Sequence, residues 1–334
     1  MSRPAPIDLF RDPYFDPDYA ALYLGEGESL FRFEYAKGGE RFTNLSIKRP
    51  IRRIGDVAVE EGWYDLESAY GYGGYLTTSL DEAFLSEALA AYASHCRKER
   101  IVAEFIRFHP FIPYTAELRG FFDFFIEDRP TVSVDTTLDK EARWQTYTSK
   151  VRRKLRKCQR DLTFFESDDI DTFHALYTET MRRNDAPAFY FFSKAYFQRL
   201  LERPYTRLFA VRDEEEIVSM SFALFGPDIA HAHLSANRSE KMRLNGNYWL
   251  FDNLFDKARE AGCRYAFVGG GRTNTPDDSL LRFKRQFGSL ELPFHIAGKV
   301  FDAERYARYN RIWEERYPQK SVKYFLKYRL EEPL

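Results

Sequence analysis

The chain has 334 residues, 44% hydrophobic and 30% charged, which fits one large globular domain or two ordinary ones and excludes a long disordered span. A formal net charge of -1 removes any global electrostatic argument for nucleic acid, so DNA is not an expected partner and only local basic segments remain. No apolar run approaches the roughly 18 residues of a membrane span, and the opening MSRPAPIDLFRDPYFDPDYA is broken by prolines where a secretory leader needs an apolar core. Cys96, Cys158 and Cys263 are scattered, with no metal-type spacing, so the expected setting is a reducing cytoplasm without a metal.

Residues 29–49 read as a hairpin, with apolar residues alternating around Gly38 and Gly39. ESAYGYGGYL follows at 67–76, a ring-and-glycine loop suited equally to facing a ligand and to a tight turn under aromatics. Helical spacing of Phe84, Leu85, Leu89 and Tyr92 predicts a helix over 80–98, with Ser79 as its cap. RIVAEFIRF predicts a strand ended by His109-Pro110, and PTVSVDT another.

LDKEARWQTYTSKVRRKLRKCQR, 138–160, is expected as one long helix capped near Thr137. A second mixed unit follows: strand LTFFES, helices 169–183 and 193–202, and strands 206–212, 215–225 and 229–235. Helix 246–261, strand RYAFVGGG, helix 278–286, strand 293–300 and a Tyr-rich basic tail complete it. The expected fold class is α/β (α+β): two lobes, 1–140 and 141–334, each a mixed sheet flanked by helices.

Several stretches have the residue types for chemistry. After strand IAHAHLSAN, the turn MRLNGN runs into a helix, an arrangement that presents free backbone N–H groups and a positive helix end to an anion. Arg243, Gly246 and the amides near Asn247 would then hold a phosphate; alternatively, Asn245 caps the helix and Gly246 only turns the chain. The run Lys150, Arg152, Arg153, Lys154, Arg156, Lys157 and Arg160 leaves only Val151, Leu155 and Cys158 to bury. It reads either as a solvated face or as a cradle for polyphosphate or an RNA backbone. Lys284, between Phe283 and Phe287, either snorkels over a ring or meets an oxyanion. His231 and His233 share a strand face with no third ligand at a suggestive spacing.

In order and spacing, YDLESAYGYGG, IRFHP, KVRRKLRK, YTETMRRNDAPAFYFFS, HAHLSANRSEKMRLNGNYWL and GCRYAFVGGG followed by LLRFKRQFG resemble one family across most of the chain. It is the Fem-type aminoacyltransferases and their broader FemAB-like relatives, which have the GNAT acyltransferase fold. The resemblance implies two GNAT-like lobes with a substrate groove between them, lined on the first lobe by the tyrosine–glycine stretch. Lys284 matches the family's Phe-Lys lysine, which interacts with the reacting carbonyl or phosphates. His109 falls where Fem enzymes commonly carry an acidic residue before proline, and a histidine there can still accept a proton. Arg243-x-x-Gly246 is similar to the GNAT pyrophosphate loop, although Tyr248 replaces its last small residue. No segment matches the coiled-coil arm of many Fem enzymes.

The resemblance implies transfer of an acyl or aminoacyl group, from acyl-CoA or aminoacyl-tRNA as co-substrate and with no tightly bound cofactor. The acceptor is an amine of a peptidoglycan, polysaccharide or lipid-linked envelope precursor. Expected roles are Lys284 and His109 in catalysis and Tyr70, Tyr72, Gly73, Arg152, Arg156, His233 and Phe283 in substrate binding. Arg243, Asn245, Gly246 and Asn247 would hold the donor. Expected partners are the precursor and tRNA, with transient contact to a membrane surface left open. The competing expectation is a non-catalytic protein that binds a nucleotide-linked precursor or RNA.

Overall fold

In the computed structural model, residues 7–288, 290–320 and 322–330 are described; the last four residues of the basic tail lie outside them. The chain divides into two compact units, both discontinuous in sequence. One comprises residues 1–22 and 129–293, the other 23–128 and 294–334. The division therefore differs from a single cut near residue 140. The chain passes between units inside the strands Phe124–Asp135 and Leu290–Val300, and the N-terminal segment joins the unit that follows residue 128.

The 23–128/294–334 unit opens with the expected hairpin. Ser29–Lys37 pairs antiparallel with Glu40–Pro50 down to Lys37 opposite Glu40. Gly38 and Gly39 take φ of +62° and +87°, the left-handed pair that a two-residue hairpin turn requires. Beyond Glu40–Pro50 lie Tyr64–Glu67, Ile101–Arg107 and residues 296–300 of Leu290–Val300. The helix Glu82–Lys98 is capped by Asp81, whose carboxylate accepts from Phe84 N–H at 2.9 Å, rather than by Ser79. Phe84, Ala88, Tyr92 and Cys96 recur every four residues and are its buried face. A second cluster joins Val102, Phe105, Tyr309, Trp313 and Tyr328.

Two buried carboxylates anchor polar networks inside this unit. Glu104, fully buried, accepts from Tyr75 and Tyr92 hydroxyls at 2.7 Å each, from Asn44 Nδ2 at 2.8 Å and from Ser46 Oγ at 2.9 Å. Burial raises its pKa, and these donors oppose the shift. Buried Asp65 accepts from Arg49 Nε at 3.1 Å and Arg329 Nε at 2.5 Å, which ties the chain's end into the sheet.

The other unit has the strand order Thr163–Ser167, Thr206–Arg212, Ile217–Phe225, Ile229–Asn237, Tyr265–Gly270, then residues 131–135 of Phe124–Asp135. The expected long helix is two, Lys140–Thr146 and Ser149–Asp161, capped by Asp139 and Thr148. Tyr147 is extended and buried between them, and Thr148 supplies a cap where a continuous helix needs an ordinary residue. Leu155, Trp249, Leu254, Phe255 and Phe287 meet in this unit's core. Within it, fully buried Arg143 reaches Asp252 at 3.1 Å and Asp256 at 2.8 Å.

Candidate active site

Two parallel strands that separate define the site. Ile229–Asn237 pairs with Tyr265–Gly270 only at Ile229–Tyr265, Ala230–Ala266 and His231–Phe267. Beyond that point each strand stays with its other neighbour. Ile229–Asn237 remains paired to Ile217–Phe225 as far as Asn237 opposite Ser219. Tyr265–Gly270, kinked where Gly269 takes φ +74°, follows Phe124–Asp135. The result is a wedge in which residues 232–236 face no strand on one side, closed at its far end where Asn237 N–H donates to Thr180 Oγ1 at 3.1 Å. At its apex a bulge sets Leu234 opposite Phe222 and Ala232 opposite Ala223, with His233 as the extra residue between them.

The helix Gly246–Glu260 begins after this strand. Its first residue lies so close to Ile217–Phe225 that a Cβ there would sit 2.7 Å from both Ser219 Oγ and Val218 Cγ2. Asn245 takes φ +59°, and its side chain donates to Arg243 O at 3.0 Å instead of capping the helix. Every other α-helix among the described residues begins under a side-chain cap. Here the N–H groups of Gly246 and Asn247 have no acceptor among the described residues, which leaves a positive helix end open. Asn247 Oδ1 turns onto Tyr248 N–H at 3.1 Å.

Cations surround this end. The Arg243 side chain is exposed and makes no hydrogen bond or ion pair among the described residues. Lys154 Nζ stands 3.9 Å over the Tyr248 ring, and Cys158 Sγ donates to Leu244 O at 3.4 Å, which fixes the basic helix Ser149–Asp161 beside the turn. Along that helix the one ion pair among the described residues joins Arg160 to Asp161 at 3.9 Å. The two arginines expected to bind substrate differ. Arg152 donates to the carbonyls of Tyr147 and Trp144, closing the end of the preceding helix. Arg156 is exposed and makes no hydrogen bond or ion pair among the described residues; both arginines line an open cleft of about 650 Å³ with Trp144, Gln145 and Gln159.

On the wedge's other side, Lys284 Nζ donates to Gly270 O at 2.7 Å. Burial lowers its pKa to about 8, with Asp278 opposing and Arg129 adding to the shift. Asp278 anchors the intervening loop by accepting from the N–H groups of Arg272, Thr273, Leu280 and Leu281; burial works against its charge, but these donors hold its pKa at about 2. Phe283 packs inward on Tyr248 and Phe251, at 5.0 and 5.6 Å between ring centroids, so it braces the lysine from the core. His233 lies between two hydroxyls, Tyr14 at 3.1 Å from Nδ1 and Tyr196 at 3.4 Å from Nε2. Burial, with His231 adding, lowers its pKa to about 3, so the ring is neutral at physiological pH. Asp12 accepts from His231 Nε2 at 2.7 Å.

Tyr70, Tyr72, Gly73 and His109 lie in the other unit. Tyr70 stacks on Tyr23 at 5.8 Å, and Tyr72 meets His109 and Phe294 edge-on at 5.6 and 5.3 Å. Gly73 acts as a strand neighbour, donating to Arg107 O and accepting from His109 N–H. Tyr75 leaves the loop for the Glu104 network. His109 is fully buried and its Nδ1 accepts from Phe111 N–H at 3.2 Å, so in a neutral ring the hydrogen is on Nε2. With no open lone pair on that tautomer, this geometry lends the expected base role no support.

Residues 146–285 match the family described as acetyltransferase (GNAT) domain. This chain contains a GNAT acyltransferase domain. The fold likeness extends further. FemX, at 14% identity, superposes with a TM-score of 0.71 over 91% of this chain and 95% of its own. L-PGS from Bacillus licheniformis does so with 0.52 at 16% identity, over 93% and 98%. A domain described as the C-terminal part of a lysylphosphatidylglycerol synthetase from Agrobacterium fabrum gives 0.54 at 14%, over 85% and 87%. No curated protein matches the sequence. The GNAT domain thus contains the wedge, the uncapped helix and Lys284 within one family match. Tyr14, which reaches His233 across 219 residues, lies outside that match and gave no sequence signal.

Proposed function

We propose that the chain is an N-acyltransferase that moves an acyl or aminoacyl group from acyl-CoA or aminoacyl-tRNA onto an amine of a cell-envelope precursor. The wedge ending at an uncapped helix is the observation that supports it most. Donor phosphates would take the N–H groups of Gly246 and Asn247, with Arg243 and Lys154 supplying charge. An extended donor arm would pair with the open edge of residues 232–236 and bring its carbonyl to the apex near His233. The acceptor amine then attacks that carbon, and the thiolate or ribose hydroxyl leaves with a proton. Lys284 stabilises negative charge on the carbonyl oxygen, since at pH 7 a lysine with a pKa about 8 is protonated about tenfold over its neutral form. The fold likeness to FemX and to the lysylphosphatidylglycerol synthetase domain supports an envelope amine or lipid as acceptor and keeps tRNA beside CoA as donor carrier.

Native mass spectrometry and turnover with acetyl-CoA, longer acyl-CoAs and charged tRNA test the proposal. One donor class should bind and be consumed once an amine is supplied. A donor that binds and is never consumed, whatever amine is offered, would favour a binding protein instead.

A further inference from the structure

Aromatic side chains in this protein are mostly core, yet one segment of the GNAT domain turns three of them outward. In the loop after helix Ile170–Arg183, Phe192 folds back to stack on Tyr196 at 4.5 Å. Its three predecessors face out, with Phe189 62%, Tyr190 38% and Phe191 40% exposed. Tyr177 donates its hydroxyl to Tyr190 O at 2.9 Å, so the loop is pinned in this pose.

Two other loops meet it. Arg183 donates to Ser239 Oγ, and Ser239 N–H donates to Glu179 at 3.0 Å, which brings in the turn 238–245 with Met242, 56% exposed. Arg272 donates to Asn184 Oδ1 at 3.4 Å, which brings in the loop 271–278. These two turns follow the ends of the diverging strands, so the outward Phe, Tyr and Met side chains rim the mouth of the wedge. Arg182, Arg243 and Arg272 are exposed around them, against the acids Asp185, Glu240 and Asp277.

We propose that this rim docks on an anionic lipid bilayer, presenting the wedge to a substrate held at the membrane surface. Two phenylalanines and a methionine have no polar group to satisfy in the acyl region, a tyrosine suits the headgroup level, and flanking arginines match anionic lipid. No helix among the described residues is long and apolar enough to cross a membrane, so the contact is interfacial. A single-stranded RNA also stacks on rings beside arginines, but Met242 offers it no face. The inference goes beyond the acyl-transfer proposal, and its readout needs no turnover.

The test is sedimentation of the full chain with vesicles of phosphatidylcholine containing one third phosphatidylglycerol. The protein should bind, should not bind pure phosphatidylcholine vesicles appreciably, and should weaken by about tenfold for each ring removed in Phe189→Ser and Phe191→Ser. Met242→Ser should act the same way, and Arg182→Gln should reduce the salt sensitivity. Thermal melts of the exposed-site variants should match the parent. Three outcomes would overturn the proposal: no binding to anionic vesicles, binding unchanged in the ring variants, or binding of an RNA oligomer alone that is lost in those variants.

Discussion

A closed carboxylate network in one unit contrasts with an open helix end in the other. In the 23–128/294–334 unit each oxygen of the central carboxylate Glu104 accepts two side-chain hydrogen bonds, and Asp65 is held between two arginines. In the GNAT domain a helix starts without a cap, two N–H groups point to no acceptor among the described residues, and a helix of cations makes almost no ion pairs. A satisfied network stiffens a core; groups left open at such cost are placed for something else to complete. On the function proposed above, the first network does structural work and the second group receives the donor.

That contrast can be broken by mutation. Glu104→Leu should have the largest effect on stability, roughly 3–5 kcal/mol, because it strands Tyr75, Tyr92, Asn44 and Ser46 without their acceptor. Donor affinity measured on the folded fraction should not change; a loss of affinity at unchanged stability would erase the division of labour. Since burial raises the Glu104 pKa, its protonated form is favoured in the folded state. Its contribution is therefore complete below the usual carboxylate range and is lost as pH rises through the raised value. In Glu104→Gln that pH dependence should vanish from the denaturant midpoint.

Lys284→Met should lower kcat by about 10²–10³ with donor affinity nearly kept, since its charge is needed mainly in the transition state. With the pKa lowered to about 8, activity should fall above that pH as the ammonium is lost. A near-parental kcat would reduce Lys284 to a prop for Gly270. The same shift has a stability side: the burial penalty on the ammonium is complete below about pH 8 and is relieved as pH rises toward the usual lysine value.

The smallest effects separate two arginines one helical turn apart. Arg152→Gln removes donors from the carbonyls that end Lys140–Thr146 and should cost about 1 kcal/mol in chemical denaturation. Arg156→Gln should leave stability alone and weaken binding of a phosphate-bearing donor with a shallower salt dependence. Equal behaviour of the two would mean that the basic helix is a solvated face.

What the sequence made legible was local. Gly38-Gly39 announces its hairpin, and the strand, turn and helix around Gly246 fall where the sequence places them, because each signal lies within a few residues. The break at Tyr147–Thr148 was hidden because a basic, strongly helical pattern runs through it, and the decisive cap is one hydroxyl. Half of the tyrosine–glycine question was also hidden: Tyr75 belongs to a carboxylate 29 residues away, while Tyr70 and Tyr72 stay at the surface side. The Tyr14–His233–Tyr196 chain joins three distant segments, and no periodicity encodes such a meeting.

Backbone hydrogen exchange, with and without each donor class, tests the central claim most directly. A consumed donor should slow exchange at the outward-facing amides among residues 232–236 and at Gly246 and Asn247, because those edge and helix-end groups would then be bonded to it. Residues 44–46 and 101–105, already paired in the other unit, should be unchanged. Protection that appears only in that other unit, or none at the wedge in the presence of a donor the protein demonstrably consumes, would contradict the account.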